Sequence, residues 1–393
     1  MLLEYAAPAV GVLLILLVSY DMFMTVLHPH AESPVSTWLE RLIWALMNIV
    51  ARPMKPPLRH QMLGLGLPIM IALLGISWIL TLVLGFAAIF FPWVHDPQAM
   101  AHANEIRSPA WADALYYSGV NLSTLGYGDF QPLNPVLRIV AMLEGFSGIA
   151  VLSMTIAYVL EVYPVLQRKR TLAVLLNEET AGRLDGIPML TRYLRRDNFA
   201  ELATLLRTIN LDLLYLAEAH RRLPVLHFTH PPEPELSFHR VLLVVRGLVG
   251  SIRYGMAGGE GLVWGEDPRV QDLEDSLFYT LYTLGSSRQL PLSHNGKQPT
   301  GVERVRENFG ALVNHLQEHG LPAPSRTERL EDGTPEWQHA FAGYAGLMLA
   351  SDLAMESYLR NSGYTPAELA ADAVRPQRLV IELESEDARD TEQ

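Results

Sequence analysis

The run NLSTLGYGDFQP, residues 121–132, sets two glycines around a tyrosine, adds an aspartate, and stands between two long apolar segments. Glycine populates positive φ without steric cost, so Gly126 and Gly128 open backbone conformations closed to most residues. Just upstream, Ser108 and Pro109 suit an N-cap and a first helical position, and predict a helix of about 14 residues ending at Ser123. At 1.5 Å per residue such a helix is too short to cross a bilayer. A short helix followed by irregular backbone at membrane depth is tolerated only where the chain lines a watery cavity or is buried in protein, because hydrocarbon satisfies no bare amide. The geometry asks for a pore.

Composition supports the membrane setting. The chain has 393 residues, 49% hydrophobic and 18% charged, and its mean hydropathy of +0.15 is too apolar for an ordinary soluble protein of this size. Three segments are long and apolar enough to span, Pro8 to Leu27, Leu65 to Phe91 and Val136 to Tyr163. The opening MLLEYAAPAV lacks the basic stretch and cleavage site of a secretory signal, so the first segment is expected to be a mature helix. Between the first two spans, TWLERLIWALMNIVARPMKPPLR carries a shorter apolar stretch broken by Glu40 and Arg41, which reads as an amphipathic helix lying in the interface. Arg52, Lys55 and Arg59 precede the second span and Arg168, Lys169 and Arg170 follow the third. Both flanks are therefore expected to be cytoplasmic, with the N-terminus outside, in a multi-pass protein of the plasma membrane. Cysteine is absent, which excludes disulfides, thiolate metal sites and thiol redox chemistry. A net charge of −12 and the lack of a basic patch argue against a nucleic-acid partner.

Gly126 and Gly128 let consecutive carbonyls from Thr124 to Gly128 point the same way instead of alternating. One chain then supplies one row of hard, uncharged oxygens suited to a dehydrated monovalent cation. A ring of ligands needs copies related by rotation, hence an expected homotetramer. The stretch ALYYSGVNLSTLGYGDFQP, residues 114–132, closely resembles the pore helix and selectivity filter of tetrameric potassium channels, whose signature is Thr-x-Gly-Tyr-Gly followed by Asp. The resemblance implies that the Thr124 hydroxyl and the carbonyls of Thr124, Leu125, Gly126 and Tyr127 form K⁺ sites, with no organic cofactor. Leu125 stands where Val or Ile is commoner, and offers the same carbonyl. Some family members carry a buried Glu behind the filter that pairs with the following Asp; Val120 occupies that position here, which leaves Asp129 to another partner such as Tyr116. Gly148 falls at the family's hinge glycine, with Gly145 three residues earlier; small residues there would also permit close helix packing. By the same alignment Ile149, Leu152, Ser153, Ile156 and Leu160 face the conduction path, and Ile156 with Leu160 would form an apolar gate. Glu144, Phe146 and Gly148 are also similar to the inner helix of prokaryotic inward-rectifier-like channels, but this chain does not look β-rich beyond the membrane.

Asp21 lies inside the first span, where an ionised carboxylate costs about 2.5–3.5 kcal/mol. A functional role is the default there, and a locally hydrogen-bonded or snorkelling side chain the plainer reading. No repeated arginines suggest a voltage sensor. Beyond residue 166, amphipathic helices are expected over Phe199 to Arg222, Leu236 to Met256, Val270 to Leu284, Val302 to His319 and Trp337 to Leu359. His227, His230 and His239 surround a proline-rich loop and would titrate near neutrality, although a solvated surface loop is the plainer reading. His315, Glu318 and His319 match a zinc-type HxxEH pattern without a third ligand. Gly258, Gly259 and Gly261 lack the strand-turn-helix setting of a nucleotide site.

The expected architecture is an all-α membrane protein: a potassium-channel pore domain (outer helix, pore helix, filter, inner helix) plus a helical cytoplasmic domain for assembly or gating. Its parts are residues 1–35 (first span), 36–62 (interfacial helix and basic loop), 63–165 (pore domain), 166–372 (helical domain) and 373–393 (acidic tail). No enzymatic activity is expected. The competing readings are a K⁺ transporter subunit, or a membrane-anchored receptor or enzyme whose pore does not conduct.

Overall fold

The computed structural model describes residues 2–28, 34–103, 108–195, 198–256, 265–285, 301–330, 333–360, 364–365 and 368–369. The acidic tail and Gly258, Gly259 and Gly261 lie outside these residues. Three helical stretches, Ala6–Val26, Pro56–Phe90 and Pro135–Glu179, are long and apolar enough to cross a membrane. The protein is an all-α membrane protein.

Helix α1 (Leu2–Val26) packs along α4 (Gly66–Phe90). Their backbones meet at glycines, since a Cβ on Gly11 would lie 2.3 Å from the Gly85 carbonyl oxygen. Between them run α2 (Pro34–Ala51) and the short α3 (Pro56–Gly64). Helix α2 buries Ile43, Trp44 and Met47 and exposes Trp38, Leu46 and Ile49 on its other side, which fits a helix with apolar surface turned to lipid. Helix α5 (Ala110–Leu122) is wedged between α4 and α6 (Pro135–Glu179). Strands β1 (Met100–His102) and β2 (Phe130–Pro132) form a two-stranded antiparallel ladder just beyond the 124–128 segment.

Helix α6 runs for 45 residues and carries Pro164 without breaking. The expected end of the third span near Tyr163, and the domain border at 165/166, thus fall inside a continuous helix. Burial explains the continuity, because Leu172, Ala173 and Leu176 of its second half lie in the core of the C-terminal domain. That domain adds α7 (Ile187–Leu194), α8 (Phe199–Arg222), α9 (Phe238–Val249), α10 (Pro268–Gly285), α11 (Val302–Glu318) and α12 (Glu336–Arg360). Helix α9 ends in a π-turn, Gly250–Gly255. Arg168 on α6 pairs with Asp212 on α8 at 2.6 Å, and Arg222 on α8 pairs with Glu161 on α6 at 3.1 Å. The domain is thereby tied to α6 on either side of Pro164.

Candidate functional site

Helix α5 begins at Ala110 with Pro109 in the capping position. Ser108 does not cap it; its hydroxyl donates to the Asp113 carboxylate at 2.6 Å, and the His95 ring nitrogen lies 2.8 Å from the other Asp113 oxygen. At the far end the helix unwinds through two backbone bonds, Thr124 N–H to the Asn121 carbonyl (3.0 Å) and Leu125 N–H to the Val120 carbonyl (3.1 Å).

From there the backbone alternates. Thr124, Gly126 and Gly128 have φ of +61°, +58° and +78°, while Leu125 and Tyr127 between them keep negative φ. Alternation between left-handed and ordinary conformations turns successive carbonyls to one side, as a strand does not. Thr124 was not legible as a left-handed position, because a β-branched residue avoids positive φ unless the surroundings impose it. All five residues are exposed on the single chain, with Leu125 61% and Tyr127 67% accessible.

Both ends of the segment are anchored. Past Gly128, the Gln131 side chain donates to the Gly128 carbonyl at 3.1 Å, and the Ala103 N–H donates to the Asp129 carbonyl at 2.9 Å, extending the β1–β2 ladder. The Asp129 carboxylate acts on the Tyr116 hydroxyl of α5 and holds its pKa above the usual phenol value. Val120 contributes its carbonyl.

Behind the segment, Glu144 of α6 is fully buried. Its two oxygens accept from the Ser118 hydroxyl and, at 2.7 Å, from the Asn121 amide. The Asn121 amide also donates to the Ala141 carbonyl at 2.8 Å. Gly148 lies against the end of α5, where a Cβ would come within 1.9 Å of the Leu122 carbonyl oxygen; at Gly145 the nearest atom, the Asn121 carbonyl oxygen, is 4.0 Å away. Ile149, Leu152, Ile156 and Leu160 are 55%, 61%, 52% and 68% exposed. Ser153 is exposed too, its hydroxyl turned back onto the Ile149 carbonyl at 2.8 Å. Phe146 is likewise exposed at 62%.

Asp21 is buried and multiply bonded. It accepts from Trp78 Nε1 of α4 at 2.7 Å and from the Ser36 hydroxyl of α2 at 2.6 Å, while its other oxygen takes the Ser36 N–H at 3.2 Å. The carboxylate joins α1, α2 and α4 and satisfies an amide in the first turn of α2, where helix-terminal N–H groups favour negative charge.

The proline-rich loop differs from the surface loop expected of it. His227, His230 and His239 are 7%, 4% and 3% exposed, and Lys169, one of the flank charges that follow the third span, is 6% exposed. Lys169 Nζ reaches the Thr229 hydroxyl, lies 3.4 Å from His220 Nε2 and stands 5.1 Å above the Phe238 ring. Burial drives His227, His220 and His239 toward the neutral form, His227 down to about 4 and the other two well below the usual imidazole value. Only their unusual density hinted at this in the sequence. His315 sits 3.0 Å from the Arg183 guanidinium, and among the described residues no group of three His, Asp or Glu side chains is arranged to hold a metal.

Two long apolar helices thus clasp a short helix and an exposed segment of alternating backbone. Residues 76–163, which take in α4 from Ile76, α5, the 124–128 segment and the first part of α6, match a family model described as ion channel. The chain is also similar to an uncharacterized membrane protein, YdjJ, of Bacillus subtilis (strain 168), at 24% identity over 196 residues. That alignment takes in 50% of this chain and 56% of the relative, so the chain spans little more than half the relative's length. No solved structure matches.

Proposed function

We propose that the protein is a potassium-selective channel of the plasma membrane, assembled from four identical chains around a shared axis, with the C-terminal helical domain on the cytoplasmic side. The observation that carries the reading is the alternating backbone of Thr124 to Gly128, exposed on one chain and anchored at both ends. Four such rows of carbonyls would replace the water around a bare K⁺ ion, with the Thr124 hydroxyl closing the innermost site. The exposed apolar face from Ile149 to Leu160 supports the same reading, since it would line the cavity below and narrow at Ile156 and Leu160 into a gate that closes by dewetting. Glu144 then holds the base of the filter through Ser118 and Asn121.

Purified full-length protein in liposomes tests the proposal directly. Expected are a tetrameric mass and K⁺ efflux that Ba²⁺ blocks, with Na⁺ passing far more slowly. In Gly126→Ala the added Cβ would sit at φ +58°, at a cost of about 1–2 kcal/mol per chain, and selective efflux should disappear. A monomer in membranes, or unchanged K⁺ preference in Gly126→Ala, refutes the assignment.

A further inference from the structure

Two buried imidazoles join the chain just ahead of α4 to the C-terminal domain. His60, on α3, and His230, beyond the 3₁₀ turn Pro224–Phe228, are each 4% exposed. His60 Nδ1 lies 2.8 Å from His230 Nε2, and the rings stack with centroids 5.0 Å apart at 23°. On its other side His60 Nε2 is 3.1 Å from Glu368 Oε1. The second Glu368 oxygen is held by the Thr365 N–H at 2.6 Å and hydroxyl at 2.9 Å. Tyr364 covers the pair, stacked on His230 at 4.0 Å.

A hydrogen bond between two ring nitrogens takes one proton, not two. With a single positive charge on the pair, His60 donates through Nδ1 to His230 and through Nε2 to Glu368, and every contact is satisfied. A second proton, on His230 Nε2, sets two donors and two cations face to face where little water screens them. Glu368 is already taken up by His60 and by the Thr365 N–H and hydroxyl, while Glu233 and Glu235 act on Tyr364, the ring that covers the pair. Negative charge nearby does not remove the clash, because neither ring nitrogen of the 2.8 Å contact is then left to accept. From α9, His239 faces His230 as a neutral ring stacked on Tyr358 of α12. The loop before His230 also touches α6, through the Thr229 hydroxyl on Lys169.

We propose that the His60–His230 pair is a proton-binding site that latches the C-terminal domain to the membrane-proximal α3, and that a second proton releases it. Because the same loop rests on α6, release would be felt at the inner end of the pore. That consequence rests on the channel reading above; the latch does not.

The chain contains no cysteine, so Leu58→Cys and Leu211→Cys, both at exposed positions that carry no charge, place a spin-label pair across the junction of the full-length protein in liposomes. Between about pH 7.5 and 5.5, the range where imidazoles titrate, the distance distribution should shift to longer, broader separations. The released fraction should change by up to about tenfold per pH unit for one proton. His60→Gln and His230→Gln keep hydrogen-bonding groups but cannot titrate, and each should remove the response. An unchanged distribution in the labelled parent overturns the latch without recourse to any variant. An equal shift in both Gln variants overturns it too, by assigning the acid response to His220, His227 and His239. K⁺ efflux over the same range should change several-fold in the parent and stay flat in the Gln variants. Flat efflux with moving labels refutes the link to conduction alone, and no efflux at any pH refutes the channel reading while the label result stands.

Discussion

Gly148 and Gly145 look equivalent in the sequence, and the space around them separates their roles. A methyl at Gly148 would meet the Leu122 carbonyl oxygen at 1.9 Å, a backbone atom at the end of α5 that cannot turn aside, whereas a methyl at Gly145 makes its nearest contact at 4.0 Å. Gly148→Ala should therefore push α6 away from α5 and cost about 1–3 kcal/mol, the usual range for overpacking. Gly145→Ala should be near neutral. Thermal unfolding of both variants in detergent checks the difference, and equal midpoints would refute the close approach. Nothing in the residue letters distinguished the two sites, since both satisfy a small-residue requirement and only the crossing point of α5 on α6 decides which is in contact. Likewise, the glycines at 126 and 128 announced their positive φ, while Thr124 did not.

At the scale of elements, most of the molecule was legible because apolar length and amphipathic spacing are local properties. The first two spans, the start of the third, α2, α5 and the five amphipathic helices of the C-terminal domain stand within a few residues of where the pattern put them. What stayed hidden depends on partners distant in sequence. The continuation of α6 past Pro164 and the short α7 are set by packing in the C-terminal core. The environment of Asp21 depends on Trp78 and Ser36, at separations of 57 and 15 residues. That arrangement carries its own prediction. Asp21→Ala leaves the Trp78 N–H and the Ser36 N–H and hydroxyl without this acceptor in a buried site, and unsatisfied buried donors cost about 1–3 kcal/mol each. Loss of at least about 2 kcal/mol is expected, with Asp21→Asn milder because its carbonyl still accepts. Denaturant unfolding of both variants measures it, and a wild-type midpoint for Asp21→Ala would show that the carboxylate does not hold α1, α2 and α4 together.

For the whole molecule, the buried histidines tie stability to pH. His227 donates Nδ1–H to the Pro224 carbonyl at 3.0 Å and His220 donates to the Leu216 carbonyl at 2.7 Å, so both rings are seated as neutral groups in the core between α6 and α8. Their native affinity for protons is lower than that of the unfolded chain, where imidazole titrates near 6.5. Above that pH both states are neutral and the histidines contribute no pH dependence. As pH falls below about 6.5 the unfolded chain takes up protons that the native state refuses, so stability drops. For His227 the loss is complete near pH 4, and over that interval it amounts to about 3 kcal/mol. His220 and His239, held lower still, add to the slope, to a limit of about 4 kcal/mol per pH unit for three groups. Unfolding of the full-length protein between about pH 7 and 4.5 should thus show steep acid sensitivity, and His227→Gln, which cannot take a proton, should flatten it by roughly a third. The histidines lie in the core into which the second half of α6 runs, so acid should weaken the C-terminal domain before the α1–α4 pair, whose interface contains no histidine among the described residues. Hydrogen exchange resolved by segment distinguishes the two: α8 and α9 losing protection first supports the assignment, and simultaneous loss in α1 and α4 refutes it.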